Sequence, residues 1–280
     1  ADKVLDLAIS QELFKFWPEP NFKDLVFFFA AAITMMLGSI PQQDVFQRVM
    51  SANSEHAATK GPILGGIFYI VFAFVPMFLV VSAMIIMPDK AMELMKDDPQ
   101  KVLPTLVMTH MPFAMQVLFF GALLSAIKSC ASATLLAPSV TFTENIWRQF
   151  YPHSSDRQEL KAMRITVLVF STLVLIYATA MQGSSIYEMV SGAYQVTLVG
   201  AFVPLVFGLY WPRATTQGAL FSIAAGLGVW LALMFTPLGA EFPAKFAGLL
   251  ASLAGRLIGS RMPQGIRNQK APHHAEPHIG

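Results

Sequence analysis

The sequence predicts an all-α, polytopic membrane protein, and three observations carry that prediction. Of its 280 residues, 55% are hydrophobic and only 13% are charged, against roughly 25% charged in soluble domains. The charges fall in short segments between long apolar runs. Several of those runs approach or exceed the roughly 20 residues that a helix needs to cross a hydrocarbon core about 30 Å thick. Lipid offers no partners to backbone polar groups, so helices are the default spanning element.

Seven spans are expected, within a transmembrane bundle covering residues 25–260. Ahead of them, residues 1–24 form an extracellular or interfacial segment. There VLDLAISQELFKFWPE carries apolar residues at helical spacing and ends near Trp17. It reads equally as an amphipathic interfacial helix or as a surface loop. The first span runs from about Leu25 to Gln43, and the second, Pro62 to Met87, is the clearest. The third, about Pro112–Thr141, is long enough to tilt or protrude. The fourth is Ile165–Met181, the fifth Ser185–Trp211 and the sixth Ala219–Phe235. The seventh, about Phe246–Ile258, is short and carries Arg256. Residues 261–280 form a Pro-rich polar tail expected to be disordered. Its His273, His274 and His278 are better read as solvated than as metal ligands, because no rigid element fixes them.

Basic residues set the orientation. If the loop after the first span is cytoplasmic, that side gathers Arg48, Lys60, Arg148, Arg157, Lys161, Arg164 and Arg213. The opposite side holds Lys90, Lys96 and Lys101 in an acidic loop, and Lys245. A cytoplasmic C-terminus follows. The formal charge of +2 gives no reason to expect a nucleic-acid partner. No Walker loop, dinucleotide fingerprint or Cys/His cluster is present, and no nucleophile elbow, so an enzyme reading has no anchor. Cys130 is the only cysteine. The start, ADKVLDLAIS, has neither an initiator Met nor a signal peptide, and the expectation is a chain that begins partway through a larger protein.

Polar residues inside a membrane are expensive and are the first place to look for function. Three sets stand out. In GSIPQQDVFQRVMSANS, Pro41 removes a backbone donor. Carbonyls freed there could face a cavity beside Ser39, Gln42 and Gln43, or the helix simply ends. In LLSAIKSCASATLLAPSVTF, Ala126, Ser129 and Cys130 fall at i, i+3 and i+4 and share one helix face. Small residues there suit helix packing, and the hydroxyl and carbonyls also suit a small hard cation. In IYEMVSGAYQVTLVG, Glu188, Ser191 and Gln195 form a polar stripe that reads as a substrate path or a wetted interface.

Taken in order, these stretches resemble the sodium:solute symporter family. IPQQDVFQRVMSANS is similar to a conserved helix exit of that family, ALLSAIKSCASATLLAPSVTFTENIW to its sodium-site helix, and AFVPLVFGLYWPRAT to a later exit. The resemblance implies an inverted-repeat fold of five plus five core helices. This chain would supply the second half, starting near the sixth core helix, plus two peripheral helices. It further implies Na+ as coupling ion, with Ala126, Ser129 and Cys130 as half of its site, and no other cofactor. Cys130 departs from the family's hydroxyl, and a thiol is a poorer ligand for a hard ion.

Lys128 lies roughly opposite that face, where the family has an apolar residue. It reads as a proton-coupling group, as the partner of a carboxylate elsewhere, or as drift in a truncated copy. Arg256, in an apolar family position, fits the last reading or snorkels to the interface. The functional expectation is sodium-coupled symport of a small organic solute by alternating access, in a bacterial inner membrane. The missing first half of the same transporter would be a required partner. A symporter-like module of a sensor, or a non-transporting remnant, are the alternatives.

Overall fold

The computed structural model describes residues 2–10 and 17–266. His273, His274 and His278 lie outside the described residues. The helices, in chain order, are α1 (Asp2–Ser10), α2 (Phe22–Gly38), α3 (Gln43–Met50), α4 (Glu55–Ile86), α5 (Pro88–Asp97) and α6 (Val102–His110). They continue as α7 (Phe113–Phe150), α8 (Asp156–Ala180), α9 (Ile186–Tyr210), α10 (Thr216–Met234) and α11 (Ala244–Arg261). No strand occurs among the described residues. Five of these helices, α4 and α7 to α10, are long and apolar enough to cross a membrane. The first and seventh expected spans appear as shorter helices of 17 and 18 residues.

Side-chain caps set several boundaries that apolar runs alone misplace. The Ser54 hydroxyl accepts from the Ala57 N–H, so α4 starts at Glu55, seven residues ahead of the expected Pro62. Ser155 opens a capping box with Gln158, and α8 starts at Asp156 instead of Ile165. Such caps satisfy orphan N–H groups of the first turn. The charged turns they add extend each helix beyond its apolar stretch.

Two compact units divide the chain. The first comprises Ala1–Phe16 and Gln43–Ile186. Its buried core gathers Ala83, Met87, Ala91, Leu94, Val102 and Leu106, where the end of α4 meets α5 and α6. The long helices α4, α7 and α8 present mostly exposed apolar side chains, as lipid-facing helices do. The turn after α8 relies on Gly183, whose φ of +97° lies in the left-handed region that glycine adopts without steric penalty. An ionic clasp ties the end of α7 to the start of α8. Arg148 donates to both oxygens of Glu159, at 3.0 and 2.8 Å, and also pairs with Glu144.

The second unit comprises Trp17–Gln42 and Tyr187–Gly280. Its centre is a seam of small residues between α10 and α11. Gly218, Ser222 and Gly226 face Gly248, Ser252, Gly255 and Gly259. Small residues let backbones approach closely where lipid provides no hydrophobic drive between helices. At Gly226 a methyl group would stand 2.1 Å from the Val199 carbonyl oxygen. Buried Ser222 donates to the Ser252 carbonyl at 2.8 Å. Gln217 bonds the Gly259 and Pro263 carbonyls and the Gly265 N–H, pinning the chain after α11.

Arg256 neither snorkels nor faces lipid. It is 2% exposed, and its Nη1 donates to the Thr215 carbonyl at 2.9 Å. It works as a clamp between α11 and the start of α10.

Candidate functional site

The candidate ion-binding face lies on α7 in the first unit. Ala126, Ser129 and Cys130 are all exposed, as is Lys128. The helix is uncovered around its whole circumference from Gly121 to Ser132. The backbone is α-helical here, so the i, i+3, i+4 spacing puts these three residues on one face, with Lys128 turned about 160° from Ala126 at 100° per residue. The Thr134 hydroxyl donates to the Cys130 carbonyl at 2.8 Å. That carbonyl therefore already carries one partner. Farther along the same helix, residues Thr143–Trp147 form a π turn. A groove of about 530 Å³, almost wholly apolar, lies between this turn and α8, lined by Phe142, Trp147, Ile165, Val169 and Phe170.

The candidate solute-path residues lie in the second unit. The α2 exit is built around a joint that the sequence reading did not include. Thr197 on α9 donates its hydroxyl to the Gly38 carbonyl at 2.6 Å and accepts from the Gln42 amide at 3.2 Å. The carbonyl at Gly38, expected either to face a cavity or to mark a plain helix end, is thus satisfied by a hydroxyl from another helix. The crossing is close: a methyl on Gly38 would sit 2.4 Å from the Tyr194 carbonyl oxygen. Ser39 is half-buried and bonds back to the Met36 carbonyl at 3.0 Å.

Along α9, Glu188 is exposed and Ser191 is buried at 6% exposure. Gln195 is half-buried, and its side-chain oxygen accepts from the Trp230 indole N–H at 3.2 Å. The stripe therefore passes from solvent into the packed interior of this unit. Gln42 and Gln195 do not meet at one pocket; each has its own partner on another element. Just past the stripe, Leu198–Phe202 form a second π turn. Pro204 stands at its end and has no N–H to return to the Gly200 carbonyl. Wide turns of this kind occur often at functional sites.

The family model for the sodium:solute symporter family matches residues 5–226. The chain belongs to the sodium:solute symporter family. That family consists of transporters, not enzymes, and this member is a multi-pass membrane protein. The high-affinity choline transporter 1 of Caenorhabditis elegans is 27% identical over 219 residues, covering 74% of this chain and 38% of that protein. The sodium/glucose cotransporter of Vibrio parahaemolyticus is 22% identical over 213 residues, 71% of this chain and 39% of that protein. The sodium/pantothenate symporter of Haemophilus influenzae is 27% identical over 169 residues, 58% of this chain and 34% of that protein. The chain thus spans under two-fifths of the length of each of these relatives.

Proposed function

We propose that this chain is the second-half portion of a secondary active transporter that couples inward movement of Na+ to uptake of a small organic solute by alternating access. The observation that carries the reading is family membership over residues 5–226, within which α7 keeps Ala126, Ser129 and Cys130 on one face. Ser129 and the carbonyl of Ala126 are the preferred oxygen ligands for a hard cation, and Cys130 is the weaker third. These groups make half of a coordination shell. The remainder would come from a first half of the same transporter. Gln42, Ser191 and Gln195 line the solute's route, with Ser39 and Glu188 at its ends. The protein sits in a bacterial inner membrane with its C-terminus in the cytoplasm, as its basic residues favour.

Solute uptake into vesicles containing the protein together with its first half tests this reading. Uptake that rises with an inward sodium gradient is the expected result; uptake indifferent to that gradient would remove the sodium assignment. Lys128 is the other possible coupling group, and Lys128→Met separates the two ions. An unchanged pH profile in that variant leaves sodium as the driver.

A further inference from the structure

The second unit contains a cavity of about 450 Å³ that the inner end of the polar stripe, Gln195, reaches. It is lined by Phe27, Gln195, Leu233, Met234, Thr236 and Lys245, among others. These come from α2, α9, α10, the turn after it and the start of α11. Among the described residues, no Asp or Glu lines it.

Its polar groups have a definite sense. An indole N–H can only donate, so the Trp230 bond at 3.2 Å fixes which end of the Gln195 amide is the oxygen. The remaining end, Nε2, is a pure donor. Lys245 is a second pure donor and carries positive charge. Among the described residues, no carboxylate is paired with its ammonium. The Thr236 hydroxyl donates to the Leu233 carbonyl at 3.3 Å. The rest of the wall is built from Phe27, Leu233, Met234, Gly239, Pro243 and Ala244.

A concave, mostly apolar pocket with a few convergent polar groups is the usual form of a small-molecule site. Two donors, one of them a cation, with no acid in the described lining select an anion. A carboxylate offers two acceptor oxygens to exactly such a pair of donors, and a cationic solute would meet Lys245 unscreened. We propose that this cavity binds the carboxylate of a small organic acid, with Lys245 as counter-charge and the Gln195 amide as orienting donor. The apolar wall of Phe27, Leu233 and Met234 would hold the acid's carbon skeleton. The binding site stands on this geometry alone; that its occupant is the transported solute rests on the symport reading above.

Calorimetric titration of the purified protein with benzoate and with benzamide tests the site. Benzoate should bind at least about tenfold more tightly than benzamide, as expected for a hydrogen bond to a charged group. Lys245→Met and Gln195→Leu should each weaken benzoate by about tenfold or more, while Lys245→Arg keeps the charge and most of the affinity. Equal binding of acid and amide would overturn the proposal. So would benzoate affinity unchanged in Lys245→Met, with monodisperse elution showing that the variant is folded. Should uptake follow the sodium gradient while benzoate fails to bind, the site falls and symport stands. Should benzoate binding need Lys245 while uptake ignores sodium, the site stands and symport falls.

Discussion

The joint at Gly38, Gln42 and Thr197 should hold the exit of α2 against α9, and its strength can be worked from its geometry. Thr197→Val keeps the side chain's shape and removes one hydroxyl. That hydroxyl donates to the Gly38 carbonyl at 2.6 Å and accepts from Gln42 at 3.2 Å. Each bond contributes a net ~0.5–1.5 kcal/mol, and a carbonyl left unsatisfied adds a desolvation penalty of ~1–3 kcal/mol. Both bonds are only part-buried, so a total of about 2–3 kcal/mol is expected. Gly38→Ala attacks the same joint sterically, by placing a methyl 2.4 Å from the Tyr194 oxygen, and overpacking of that kind costs about 1–3 kcal/mol. Because both changes open one crossing, the double variant should lose less than the sum, by at least about 0.5 kcal/mol. Reversible denaturant unfolding in mixed micelles, followed by tryptophan fluorescence, measures all three. A Thr197→Val variant as stable as the parent, or strictly additive losses, would refute the joint.

Cys130→Ser puts a harder ligand on the proposed ion-binding face and should lower the sodium concentration for half-maximal uptake; an unchanged value would take Cys130 out of the proposed ion site. Gly226→Val drives a branched side chain into the Val199 carbonyl, 2.1 Å away, and into Ser252, 2.8 Å away. It should part α10 from α11 and remove the monodisperse peak in detergent, which a normal elution profile would disprove.

Five of the seven expected spans coincide with helices long and apolar enough to cross a membrane, because hydrophobicity is a bulk property of about 20 residues and does not depend on what a helix touches. Their ends were harder to place. The charged turn Glu55–Gly61 belongs to α4 because Ser54 caps it, and Ser155 does the same for the first turns of α8. Those capping patterns were present in the sequence and were outweighed by charge. Thr197 carried no such signal. A threonine in an apolar helix ordinarily bonds back to its own backbone, as Thr197 does to the Tyr194 carbonyl at 3.1 Å, and its further partners depend on α2 crossing α9 at Gly38. Arg256 illustrates the same limit. One cation in an apolar helix suggests snorkelling, and only the glycine and serine seam beside it shows how a guanidinium reaches the Thr215 carbonyl. The face of Ala126, Ser129 and Cys130 was readable from spacing alone, because helical phase needs no neighbours.

The wide turn at Leu198–Phe202 puts one surplus residue into the rail of α9. A surplus residue is a phase offset of about 100°. The side chains before it and those after it therefore answer to different compass bearings on what is nominally one rod. Were the surplus to be absorbed, or to slide toward Pro204, the segment bearing Gln195 would rotate like a key while the segment beyond Val203 stayed seated. Rotation of that sort re-aims an amide at the cost of an axial shift of only about 1.5 Å, the rise of one helical residue.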